Sequence, residues 1–79
     1  MIDKKKITEM DFDQIEEEVK KLSNLSFEQL ENDFKTVLNE LSKDTITVSE
    51  MSHLYVYAKN LSKLMENKIV ELQKLAENK

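Results

Sequence analysis

Residues 47–75, TVSEMSHLYVYAKNLSKLMENKIVELQKL, decide the fold of this chain. Thr47 and Glu50 stand three apart at its start, the spacing of a capping box. There the Thr hydroxyl and the Glu carboxylate each accept a hydrogen bond from an otherwise orphaned backbone amide. Ile46 and Met51 flank the box as a hydrophobic staple. Apolar residues then recur on a heptad, with Met51, Ala58, Met65 and Leu72 at a and Leu54, Leu61 and Leu75 at d, interrupted by Lys68. A helix over about residues 48–77 is a rod of roughly 45 Å at ~1.5 Å rise per residue. The β-branched run Thr45-Ile46-Thr47-Val48 has strand propensity, but no second strand exists to pair with it, so it reads as an extended linker.

Two more amphipathic segments lie upstream. Ser26-Phe27-Glu28-Gln29 is a second capping box, stapled by Leu25 and Leu30, and it opens a helix over about residues 27–43. Its apolar stripe is Phe27, Leu30, Phe34, Val37, Leu38 and Leu41. The first segment, about residues 9–24, starts near Thr8 or Asp11 and places Phe12, Ile15, Val19 and Leu22 on one face. Its acids precede Lys20 and Lys21, an order that suits the helix dipole. Residues 11–22 and 26–38 resemble each other at an offset of fifteen, for example Phe12/Phe27, Gln14/Gln29, Ile15/Leu30 and Lys20/Lys35. Because fifteen residues are close to four helical turns, two architectures follow. An unbroken stripe gives an antiparallel helical hairpin with a long C-terminal helix; a break at Ser26 gives a short three-helix bundle. Coincidence of cap and staple at Ser26, with Ser23 and Asn24 just before it, favours the break. Either way the fold is all-α, one helical domain over residues 1–79.

Composition narrows the chemistry. The 79 residues contain no Cys, Gly or Pro and one His, which excludes disulfides, thiolate or His-rich metal sites and phosphate-cradling glycine loops. No cofactor is expected. Residues 1–44 carry 12 acids and 7 lysines, a net −5, whereas residues 45–79 carry 4 acids and 5 lysines, a net +1. With no arginine and no basic patch, direct nucleic-acid binding is disfavoured. The longest apolar run, Leu54 to Ala58, is far short of the ~20 residues that span a bilayer, and no apolar stretch follows Lys4-Lys5-Lys6 as in a signal peptide. A cytoplasmic protein is expected.

Local clusters do not rise to sites. Asp11-Phe12-Asp13 with Glu16 has the alternation of a calcium loop, but position six is Glu16 where such a loop needs glycine. His53 with Ser49 and Ser52 lies along one helix, whereas a nucleophilic triad needs groups converging from separate elements. Glu16-Glu17-Glu18 reads as a solvated face. Tyr55 and Tyr57, at e and g of the heptad, either cover the core or anchor a partner. No catalytic residue is expected.

The informative feature is an excess of apolar surface. Ile69, Leu72, Leu75 and Ala76 lie beyond the reach of one short helix, and exposed seams of this kind mark helix-in-groove or coiled-coil association. The expected partner-binding residues are Phe27, Leu30, Phe34 and Leu41 on the middle helix. On the last helix they are Met51, Leu54, Tyr55, Ala58, Leu61, Met65 and Leu72.

From Ser26 to about Leu72 the chain resembles the small subunit of bacterial exodeoxyribonuclease VII. The resemblance rests on the Ser26-Phe27-Glu28 start, on Ile46-Thr47-Val48-Ser49-Glu50, and on Leu54-Tyr55-Val56-Tyr57-Ala58-Lys59-Asn60-Leu61. Ala58 stands where that family carries glycine at a close helix–helix approach, and about 25 residues precede the shared start. The resemblance implies a non-catalytic helical hairpin bound along a large nuclease subunit that degrades single-stranded DNA. A self-associating helical module, such as a homodimeric phage- or plasmid-type regulator, is the alternative that composition alone leaves open.

Overall fold

Helix starts in this chain are made by side chains, because there is no proline to set them. In the computed structural model, which describes residues 4–77, α1 spans Lys4–Glu9 and α2 Phe12–Lys20, followed by one 3₁₀ turn at Lys21–Asn24. The remaining helices are α3, Phe27–Leu41, and α4, Val48–Glu77. No strand occurs among the described residues.

Ser26 caps α3: its Oγ accepts from the Gln29 amide at 3.2 Å while Gln29 Oε1 accepts from the Ser26 amide at 3.0 Å. Thr47 and Glu50 repeat the arrangement at α4, at 3.1 and 3.0 Å. A third box starts α2, where Asp11 and Gln14 exchange bonds of 2.8 and 2.9 Å. Each such cap stabilises its helix by about 1 kcal/mol. The interruption before α3 is real. Leu25 and Ser26 are both extended, with ψ of 153° and 159°, so no continuous rod joins α2 to α3.

Elsewhere the expected boundaries shift. The segment expected as one helix over 9–24 is three pieces, because a bend at Met10 and the Asp11 cap separate α1 from α2 and the last turn tightens to 3₁₀. The linker expected to be extended over residues 45–48 is shorter: the Ser42 amide donates to the last carbonyls of α3, the Ile46 amide donates back to the Lys43 carbonyl and puts Thr45 in a turn, and Val48 is already helical, which leaves only Ile46 and Thr47 outside turn and helix. No described residue has a positive φ, so every connection is built without the backbone freedom that glycine would supply. The domain expected over 1–79 is described here only for residues 4–77.

α4 is the spine, and α1, α2 and α3 each pack against it. The core consists of Ile7 from α1, Ile15 and Val19 from α2, Leu30 and Val37 from α3, and Leu54, Tyr57, Ala58 and Leu61 from α4. Each fully buried aliphatic side chain contributes roughly 1.5–3 kcal/mol. Lys4 adds a polar tie, with its Nζ 3.3 Å from Glu50 and 3.8 Å from Glu40, linking α1 to the start of α4 and the end of α3. Partly exposed, these pairs contribute at most ~1 kcal/mol. The molecule measures 49 × 24 × 18 Å, its long axis set by α4.

Candidate functional site

α4 carries more apolar surface than its three neighbours cover. Its buried residues end at Leu61, with Leu64 and Met65 half-buried. Beyond them Ile69, Val70, Leu72 and Leu75 are exposed, Leu72 at 59% and Leu75 at 67%. The cause is length. α3 has 15 residues and spans ~22 Å, half of the ~45 Å of the 30-residue α4.

Two shallow apolar grooves continue this surface toward the start of α4. One, of about 290 Å³, lies between α3 and α4, with Phe34, Leu38 and Leu41 on one wall and Tyr55, Ala58, Lys59, Ser62 and Lys63 on the other. The second, of about 420 Å³, is formed by Phe12 of α2 with Val48, Met51, Ser52, Tyr55 and Val56 of α4. Tyr55, 60% exposed, belongs to both and joins them.

The two tyrosines therefore separate. Tyr57 is 6% exposed and turned into the core, and burial pushes its phenol up to about 12, with the Asp33 and Glu18 carboxylates adding to the effect. Tyr55 faces outward between the grooves.

The expected partner-binding residues divide three ways. Leu30, Leu54, Ala58 and Leu61 are buried within the chain, so the internal bundle uses them and a partner cannot reach them in this conformation, Ala58 excepted where it floors the α3–α4 groove. Phe27, Phe34, Leu41 and Met65 are half-buried. Met51, Tyr55 and Leu72 are exposed. Periodicity alone missed Val48 and Val70, since each falls outside the heptad seam; their β-branched apolar character was the only signal.

His53 has local employment. Its Nδ1 lies 2.7 Å from the Ser49 carbonyl oxygen, and its ring sits 5.2 Å from that of Phe12 at a tilt of 59°, tying α4 to α2. Among the described residues no group of three or more His, Asp or Glu side chains is placed to hold a metal ion. No helix of the described residues is long and apolar enough to cross a membrane. The Glu50 carboxyl is held below its ordinary value, first by the Thr47 amide it accepts from, then by the Thr47 hydroxyl and Lys4. That is the chemistry of a helix cap. Set against family models, curated proteins and solved structures, the chain finds no match.

Proposed function

We propose that this protein is a non-catalytic helical accessory subunit, whose exposed α4 surface binds a helix of a large nuclease subunit that degrades single-stranded DNA. The observation that carries the binding role is the exposed run Ile69, Val70, Leu72 and Leu75, continued by Tyr55, Met51 and Val48. A contiguous apolar surface is costly to leave in water and marks a site of association. The choice of a nuclease as partner rests on the resemblance over Ser26 to about Leu72, which coincides with α3, the turn and most of α4. Two helices joined by a short turn pack antiparallel, and a hairpin of this kind is what that resemblance implies.

In this reading the subunit supplies a rigid apolar edge, and the partner supplies the catalytic groups. Co-expression with the large subunit of an exodeoxyribonuclease VII tests it. A complex that survives purification, and loses the small chain when Leu72→Asp is introduced, is the expected result. A large subunit that purifies alone in the presence of the wild-type chain contradicts it.

A further inference from the structure

The apolar surface of α4 has a second regularity. Starting at Met51, residues four and then three apart form an uncharged stripe ending at Ala76, which alternates large and small side chains unevenly along its length. This stripe runs beside the Leu54–Tyr57–Leu61 face of the internal bundle, with which it shares Ala58 and the half-buried Met65, and its other members are turned outward. Run antiparallel against itself, it is self-complementary. Met51 falls opposite Ala76 of a second copy, Tyr55 opposite Leu72, Ala58 opposite Ile69, and Ser62 opposite Met65. Each large side chain meets a small one, save Tyr55 and Leu72, which meet at the groove that Leu38 lines.

Charge follows the same register. Lys59 and Glu66 lie seven residues apart along one flank of the stripe, and the antiparallel register sets Lys59 beside Glu66 of the second copy, twice by symmetry. Among the described residues neither makes an ion pair, whereas Lys20, Lys21, Lys35 and Lys43 each bind a glutamate three or four residues before them.

We infer that the free protein is a two-fold symmetric dimer, in which the exposed end of each α4 lies antiparallel in the α3–α4 groove of a second copy, between Leu38 and Tyr55. Ile69 and Leu72, uncovered in one copy, fill the groove that Ala58 and Ser62 leave shallow in the other. This closes the interface isologously and leaves no open end for further addition. The inference uses the same surface as the proposed function but does not require the nuclease. There, a helix of the large subunit takes the place of the second copy.

Sedimentation equilibrium of the full chain tests it, with circular dichroism confirming that each variant is helical. Wild type is dimeric; Lys59→Glu and Glu66→Lys, which set like charges together at both symmetry-related contacts, each weaken the dimer about tenfold. An equimolar mixture of the two variants regains wild-type affinity, because every flank then pairs opposite charges. Ile69→Asp, beyond the internal core, abolishes the dimer without loss of helix. A wild-type chain that stays monomeric, or a mixture no tighter than either variant alone, overturns the inference. Failure to capture a large nuclease subunit would leave these masses unchanged and would count against the proposed function alone.

Discussion

The two halves of α4 are alike in sequence and opposite in fate. Leu54 and Leu61, in the first half, are fully buried. Leu72 and Leu75, on the same heptad pattern about three and four turns beyond Leu61, are more than half exposed. Residue type does not separate them. The neighbours do, because α1, α2 and α3 all converge on the first half and the longest of them, α3, spans only ~22 Å. One half of α4 is spent on holding the fold, and the other is left for something else to cover.

That division can be broken most forcefully by charge. Leu61→Asp puts an unpaired carboxylate into the covered half at a cost of about 4 kcal/mol, comparable to the ~3–5 kcal/mol that a core of this size supplies. The expected outcome is loss of the helical dichroism signal at ambient temperature. Alkaline pH attacks the same half through Tyr57. Its folded phenol is raised above the ordinary 10.0 to about 12, so its contribution to stability is complete below pH 10 and is lost as pH rises through 12. Thermal melts across that interval should show the midpoint falling, and Tyr57→Phe should flatten the fall.

Ser26→Ala removes one arm of the capping box that starts α3, at a cost of about 1 kcal/mol, readable as a lower urea midpoint with unchanged slope. Smallest in stability is Leu72→Asp. In the uncovered half it should move the melt of the dissociated chain by no more than ~0.5 kcal/mol while abolishing association. The same substitution type, eleven residues apart, thus unfolds the protein at one site and only separates it from its partner at the other.

How far the sequence foretold this depends on the kind of signal. Caps at Ser26 and Thr47 were legible because a capping box is a local device, complete within four residues. α1 was not: Ile7 is its sole core residue, a single apolar side chain among Lys4, Lys5, Lys6 and Glu9 that forms no periodic face. The split at Met10 was hidden because Thr8 and Asp11 both read as helix starts, and only the Asp11–Gln14 exchange decides between them. The candidate surface was legible as a stripe but not as a direction. Along α4, positions a, d and e are largely apolar and g adds Tyr57 and Leu64 between Glu50 and Glu71, so periodicity could not tell which edge faces inward. Tyr57 lies inward on the side where the carboxylates of Glu18 and Asp33 approach it, while Tyr55, two residues away, is left at the mouth of the α3–α4 groove. Facing is set by tertiary neighbours, which no window of sequence contains.

The central claim is that a second helix covers the latter half of α4, and backbone hydrogen exchange along α4, compared between dilute and concentrated solutions of the isolated protein, tests it most directly. The account predicts that amides around Leu54 to Leu61 exchange slowly at both concentrations, whereas those around Ile69 to Leu75 exchange fast when dilute and become protected when concentrated. Equal exchange in the latter half at both concentrations would contradict it.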